Sequence, residues 1–152
     1  MSRWQAWLIH ATTIVLTATA TIYVWLHYYH KPSDPFRVIS SPWEPFALDL
    51  HILVAPLLIL AIGIILHSHI FWKLEIRSRT GKKTGIILIP LFCLMVASGY
   101  ILQIITTHRP GWVMIHLASG ALWAILYGGH QIASYSVRKA ARQNQRSENP
   151  VL

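Results

Sequence analysis

Four long tracts without a charged side chain decide what this chain can fold into. No Asp, Glu, Lys or Arg occurs between Arg3 and Lys31, Asp49 and Lys73, Lys83 and Arg109, or Arg109 and Arg138. Each tract exceeds the roughly 20 residues that a helix needs to cross the hydrocarbon core of a bilayer. Because 54% of the 152 residues are hydrophobic and only 12% are charged, the composition is that of a membrane protein.

The tracts predict an all-α membrane protein, a bundle of four transmembrane helices that forms a single domain over residues 1–152. The predicted spans cover residues 4–29, 46–72, 85–107 and 112–135, and a polar cytoplasmic tail over 138–152 is expected to fray. The first tract is longer than the roughly 7–15-residue apolar core of a signal peptide, so we expect a retained helix. The loops are too short for a soluble domain, so any catalytic domain acting on a soluble substrate would belong to another chain.

Basic residues are concentrated on one side of the predicted membrane. Ten lie before the first span, between the second and third spans, or after the fourth: Arg3, Lys73, Arg77, Arg79, Lys82, Lys83, Arg138, Lys139, Arg142 and Arg146. The other two connections hold only Lys31, Arg37 and Arg109. By the positive-inside rule, both termini and the 73–84 loop are cytoplasmic. Topology thus explains the net charge of +8 without nucleic acid, and leaves lipid or partner binding by the 73–84 loop as an alternative.

Four of the nine histidines, one in each of the first two tracts and two in the last, are candidates for membrane depth, where an ionisable side chain is costly and usually functional. His116 and His130 are fourteen residues apart in the fourth span. That step is about 40° from whole turns and rises about 21 Å, so one helix directs both imidazoles toward the same neighbours near opposite membrane faces. His10 lies at the depth of His130, near the cytoplasmic face, and topology pairs the two. His51 lies toward the outer face and is paired with His116 in the same way.

These pairs have the ligand chemistry of haem iron. Two neutral imidazoles on one iron leave no open position for oxygen, which favours electron transfer. The only cysteine is Cys93 and no Cys-x-x-Cys-His sequence occurs, so covalent c-type haem is excluded. Gly120 and the Gly128-Gly129 pair either make room for a porphyrin or allow close helix packing. The sequence predicts a bundle holding two non-covalent haem b groups, with four axial ligands to iron: His10, His51, His116 and His130.

A further histidine competes for the cytoplasmic-side haem. His69 lies eighteen residues, or five full turns, after His51 and therefore on the same helix face. It is an alternative to His10 as a ligand, although its position beside Trp72 favours a place at the membrane interface. His67 shares that end of the span.

The remaining histidines lie at membrane edges or in turns. His27 and His30 are expected to meet water or lipid headgroups at the outer interface. His108 is either a solvated turn residue or a contact to a quinone or a haem propionate. Its neighbours Arg109 and Trp112 lie near the outer face, where a quinone site would be expected.

The complete histidine pattern resembles a known family. One histidine in the first span, one near the outer end of the second, none in the third and a fourteen-residue pair in the fourth are similar to bacterial cytochrome b561 and to the cytochrome b subunits of nickel–iron hydrogenases and formate dehydrogenases. The resemblance covers residues 4–135. It implies that His10 and His130 hold the cytoplasmic-side haem, and that the outer haem belongs to His51 and His116. The chain is shorter than typical members, with reduced loops.

The resemblance implies a dihaem b-type cytochrome that carries electrons across the membrane, between an outer-face redox partner and the quinone pool or a cytoplasmic-side acceptor. We expect an electron-transfer subunit of a larger oxidoreductase complex in the bacterial inner membrane, surrounded by lipid, with a periplasmic cytochrome or dehydrogenase subunit as partner and a quinone as a further ligand. Two alternatives stay open, a non-haem anchor or assembly subunit and a histidine-based proton or metal transport protein. Transport pathways generally also use intramembrane carboxylates, whereas the acid nearest a span here, Asp49, lies at its edge.

The charge distribution predicts the orientation of the chain. In a Cys93→Ser background, Ser33→Cys should react with a membrane-impermeant maleimide in intact cells. Ser147→Cys should react only after permeabilisation, because the positive-inside rule places it in the cytoplasm. The opposite labelling pattern would reverse the assignment of every histidine to a membrane face.

Overall fold

A computed structural model describes residues 2–30, 41–66, 71 and 82–148, and this part of the chain is all-helical. Four helices are long and apolar enough to cross a membrane, which confirms the number of spans predicted from the sequence. The chain divides into two compact units, Met1–Glu75 and Ile76–Leu152, with two of the helices in each.

The first unit is an antiparallel helical hairpin. Helix α1 spans Arg3–Val24, is extended by one π-helical turn, Trp25–Tyr29, and packs on α2, Trp43–Ile65. Ser2 begins α1 with a capping box: its hydroxyl accepts from the Gln5 amide, and the Gln5 side chain accepts from the Ser2 amide. This reciprocal pair satisfies two backbone donors that a helix start leaves open.

The interface between α1 and α2 is apolar, and the Thr12 and Thr19 hydroxyls in it bond carbonyls of their own helix. Its buried apolar side chains are Ile9 and Leu16 on α1 and Ala47, Leu58, Ala61 and Ile65 on α2. Thr12 is also buried, and its hydroxyl donates to the Leu8 carbonyl at 2.8 Å. A threonine satisfied in this way can lie in an apolar contact without an unpaired donor.

The second unit is another hairpin, formed by α3, Lys82–Ile104, and α4, Arg109–Glu148. The connection is short, and His108 takes a left-handed backbone with φ of 56° to reverse the chain. Histidine is among the residues that adopt this region more often than most. The Arg109 guanidinium donates to the Leu102 carbonyl at 3.1 Å, so it satisfies an acceptor that the end of α3 leaves open.

Many large apolar side chains of both units are exposed. Leu53 is 73% exposed on α2, Ile104 is 80% exposed on α3, and Ile125 is 70% exposed on α4. Soluble proteins rarely expose contiguous apolar surface on this scale. A bilayer removes the difficulty, because lipid tails are as apolar as these side chains. The described helices thus fit a multi-pass membrane protein.

The helix bounds differ from the predicted spans in α2, α3 and α4; helix α3 spans Lys82–Ile104 instead of 85–107. Helix α2 begins at Trp43 instead of Phe46, because Pro45 falls in the first turn, where a missing amide donor costs nothing. The predicted continuation of the second span beyond Leu66 lies outside the described residues, Phe71 excepted. Helix α4 starts at Arg109 instead of 112 and continues to Glu148, into the predicted tail. The tail contains alanine, glutamine and arginine, which favour helix.

Candidate functional site

His51 on α2 is held from across the first hairpin by α1. Its Nδ1 lies 3.1 Å from the Leu16 carbonyl oxygen and 3.2 Å from the Thr19 hydroxyl oxygen. The Thr19 hydroxyl donates to the carbonyls of its own helix, so it accepts from the imidazole. Because a carbonyl oxygen only accepts, Nδ1 carries the proton, and the lone pair of the neutral ring is on Nε2.

His116 on α4 is held in the same manner by α3. Its Nδ1 lies 3.0 Å from the Met95 carbonyl oxygen and 3.2 Å from the Ser98 hydroxyl oxygen. Ser98 is completely buried and donates its own hydroxyl proton to the Met95 carbonyl at 3.0 Å. The His116 ring therefore has the same tautomer, with its lone pair on Nε2.

The two hairpins share one device, which we name the carbonyl–hydroxyl clamp. In each hairpin, the first helix offers a carbonyl and, three residues later, a Ser or Thr hydroxyl to the Nδ1 of a histidine on the second helix. The clamps consist of Leu16, Thr19 and His51 in one unit and Met95, Ser98 and His116 in the other. The sequence analysis did not predict that a Ser or Thr would support each histidine. A Ser or Thr in the preceding span, at the same depth as the histidine, would have indicated it.

Glycine makes room for the His116 ring. A Cβ atom on Gly99 would lie 3.0 Å from Cε1 and 3.3 Å from Nδ1 of His116, closer than ordinary van der Waals contact. At Gly120 a Cβ would meet the Met95 sulfur at 3.8 Å, an ordinary contact that fits close helix packing. At Gly128 and Gly129 a Cβ would meet no described atom within 4 Å, so the space predicted there for a porphyrin stays a prediction.

His10 and His130, the ligands predicted for the cytoplasmic-side haem, have surroundings that differ from those of His51 and His116. His130 on α4 has its Nδ1 2.9 Å from the Thr84 hydroxyl near the start of α3. Gly85 is the residue after Thr84, and a Cβ atom on it would lie 3.9 Å from Cε1 of His130. His10 is half-buried on α1, directly after the buried Ile9. Three of the four predicted ligands thus have a described polar partner for Nδ1 on the preceding helix of their own hairpin.

The assignment of the four histidines as haem ligands stays a prediction. Both predicted pairs, His10 with His130 and His51 with His116, draw one member from each unit, so the pairing stays a prediction. The alternative ligand His69 lies outside the described residues.

One interface histidine has an acidic partner that sequence analysis did not find. His27, expected to meet water or lipid headgroups, has its Nδ1 2.6 Å from Oε1 of Glu44. His30 is exposed, as is His108 in the turn of the second hairpin. The Arg109 side chain, considered above for a quinone site, bonds a helix carbonyl.

Comparison of the chain with models of known protein families, with curated proteins and with solved structures finds no match. Over the described ranges, no group of three or more histidine, cysteine or acidic side chains is placed to hold a bare metal ion. A bis-histidine haem needs only two imidazoles from the protein.

The contact between Gly99 and His116 predicts a stability difference between two glycine substitutions. Gly99→Ala forces the imidazole away from its clamp and should cost about 1–3 kcal/mol, the usual range for overpacking. Gly63→Ala is the matched control, because a Cβ there meets nothing within 4 Å and alanine favours helix. Thermal unfolding of both variants in detergent measures the effect. Equal midpoints would contradict the proposed crowding.

Proposed function

We propose that the chain is a dihaem b-type membrane cytochrome that carries electrons across the bilayer. His51 and His116 would hold the haem near the outer face, and His10 and His130 the haem near the cytoplasmic face. The outer haem would exchange electrons with an outer-face redox partner. At the other end of the electron path, the cytochrome would exchange electrons with the quinone pool or a cytoplasmic-side acceptor.

The pair of carbonyl–hydroxyl clamps is the observation that carries this proposal. A histidine that ligates a metal almost always donates its other ring N–H to a carbonyl, a carboxylate or water, which fixes the tautomer and orients the ring. His51 and His116 each donate Nδ1–H to a backbone carbonyl at 3.0–3.1 Å, the arrangement that leaves Nε2 as the ligand atom. Because the two hairpins orient an imidazole by the same kind of hydrogen bond, we expect His51 and His116 to bind the same kind of metal centre.

The donor set fits haem. Neutral imidazole nitrogen is a suitable ligand for iron, and two imidazoles complete the coordination of a b-type haem. When bound, the haem supplies one-electron transfer at its iron. The chain supplies the imidazoles, their orientation, and an apolar environment that keeps water from the ring nitrogens.

The alternative functions do not explain why the histidines are oriented by hydrogen bonds. A bare anchor or assembly subunit has no use for histidines that are oriented by two hydrogen bonds each. A proton or metal relay generally adds carboxylates at membrane depth. The acidic residues of the described helices α1 to α3 are Glu44 and Asp49, and both lie near the start of α2. This distribution favours the cytochrome over the relay.

The proposed setting is the bacterial inner membrane, with both termini in the cytoplasm. The resemblance to cytochrome b561 and to the hydrogenase and formate dehydrogenase cytochrome b subunits supports this setting, as does the distribution of basic residues. In such a setting the chain would act as the electron-transfer subunit of a larger oxidoreductase complex. Its partner would be a periplasmic cytochrome or a dehydrogenase subunit.

The proposal predicts the haem content of the purified chain. A pyridine haemochrome assay should give two protohaems per chain, because four histidines provide two pairs of axial ligands. The reduced-minus-oxidised visible spectrum should contain the bands of low-spin b-type haem. A chain purified without these bands would exclude the cytochrome.

Selective loss of haem tests the ligand pairs. His51→Ala and His116→Ala should each remove the same haem and abolish the same component of a redox titration, because each strips one ligand from one iron. His10→Ala and His130→Ala should remove the other haem.

His69→Ala provides the control for the cytoplasmic-side pair. If the residue lies at the membrane interface, this variant keeps both haems. If it instead loses the haem that His130→Ala loses, while His10→Ala keeps both, the second ligand comes from His69 and the assignment of His10 is wrong.

A further inference from the structure

Helix α4 changes in character along its length. It spans Arg109–Glu148, and Arg138 is the first charged residue after Arg109. Because roughly 20 residues suffice to cross the hydrocarbon core, α4 leaves the apolar layer near Arg138 and continues as helix to Glu148. Residues 138–148 contain four basic residues and one acidic residue, and their largest apolar side chain is that of alanine. This end of α4 is therefore a polar, basic helix that extends a membrane span.

One face of α4 combines apolar, aromatic and basic residues, and we name it the exposed stripe. Its five residues lie within roughly 100° of one another around the helix axis: Ile125, Ile132, Tyr135, Lys139 and Arg142. Ile132 is 69% exposed and Tyr135 is 66% exposed. Ile125, Lys139 and Arg142 are exposed as well. Along the helix, the stripe thus passes from apolar through aromatic to basic side chains.

The exposed stripe faces away from the other helix of its hairpin. Trp123 is buried, and its ring centroid lies 5.9 Å from that of Phe92 on α3. His130 contacts Thr84 of α3. Trp123 and His130 lie roughly 160–180° around α4 from Ile132. The stripe is therefore separate from the histidine site of this hairpin, and what it binds does not depend on the proposed cytochrome function.

The basic end of the stripe is suited to an anion. Within the described part of the chain, neither Lys139 nor Arg142 has an acidic partner. The two residues are one turn apart, where like charges on a helix surface repel each other. An anion beside both side chains would remove this repulsion, and phosphate oxygens accept hydrogen bonds from both residue types.

The apolar end of the stripe identifies the anion as part of a lipid. Acyl chains match the exposed Ile125 and Ile132, and a tyrosine is typical of the interface between hydrocarbon and headgroups. Lys139 follows Tyr135 by about 6 Å along the helix axis, close to the thickness of one headgroup layer. An acidic protein surface would match the basic residues alone, whereas a phospholipid matches the whole stripe.

We propose that the exposed stripe binds a phospholipid whose headgroup carries a net negative charge. The phosphate lies between Lys139 and Arg142, and an acyl chain lies along Ile125 and Ile132. A zwitterionic phospholipid binds more weakly, because its own cationic group compensates the phosphate. This site is on α4 and differs from the basic 73–84 loop.

Quenching of a fluorophore beside the stripe tests the proposal. In a Cys93→Ser background, Ser136→Cys carries a bimane group, because Ser136 is exposed and adjacent to Tyr135. The full chain is placed in vesicles of dioleoylphosphatidylcholine that contain a small fraction of phosphatidylglycerol with a nitroxide on its acyl chain. A second set of vesicles has the same nitroxide on phosphatidylcholine. The quenching ratio gives the relative association constant of the anionic lipid, and we expect the anionic lipid to quench more strongly.

Three variants test the position of the charge. Arg142→Gln should lower the relative association constant about fivefold, the usual contribution of one basic residue near an anionic membrane surface. Arg142→Ala combined with Ala140→Arg keeps the net charge but moves it about 160° around the helix, so it should cause the same loss. Arg3→Gln is the matched control, because it removes an exposed arginine from the first hairpin and should change nothing.

The results decide between a site and general attraction. Loss of the preference in Arg142→Gln and in the relocated-charge variant, with Arg3→Gln unchanged, supports the proposal. A relocated charge that preserves the preference, or an equal loss in Arg3→Gln, overturns it, because net charge alone then attracts the lipid. Equal quenching by both lipids in the unmodified chain also overturns it and leaves an acidic protein surface as the partner.

A second variant covers the case in which Arg142→Gln does not fold. Lys139→Gln removes the other charge of the stripe and should give a similar loss of about fivefold. An unchanged preference in this variant would overturn the proposal.

Discussion

The hydrogen bond from an imidazole Nδ1 to a backbone carbonyl is the interaction on which both hairpins depend. Within a bilayer, water cannot satisfy a ring N–H, so a histidine at this depth needs a partner within the protein. The Leu16 and Met95 carbonyls each accept this bond in addition to one from a hydroxyl of their own helix, Thr19 and Ser98 respectively. The bond removes the cost of burying one end of the ring and leaves the other nitrogen as a base.

The same bond constrains the residues around it. Ser98 and Thr19 lie one turn after the accepting carbonyls and contribute a hydroxyl that accepts from the ring while donating to its own helix. Gly99 is the neighbour that allows the His116 ring to approach α3. A serine followed by a glycine in an apolar helix is otherwise ordinary small-residue packing. Here the pair sets how closely an imidazole can lie against the backbone.

The end of the first hairpin where α1 ends and α2 begins differs chemically from its centre. The clamp around His51 is neutral, whereas His27 and Glu44 bring a carboxylate to the membrane edge, where one partner faces solvent. The Nδ1 of His27 lies beside one oxygen of this carboxylate, Oε1 of Glu44. The hairpin thus combines an oriented neutral base inside the membrane with an ionisable pair above it.

The sequence by itself determined the number of helices, the four histidines at membrane depth and the expected orientation, because charge-free length and helical period need no tertiary contact. The fourteen-residue spacing of His116 and His130 also followed from the sequence. Only the tertiary structure decided which atoms hold each ring, because the carbonyls of Leu16 and Met95 have no sequence signature and depend on how two helices face each other. The contact between His27 and Glu44 belongs to the same class, since two residues seventeen apart in sequence meet only when α1 and α2 pack as a hairpin.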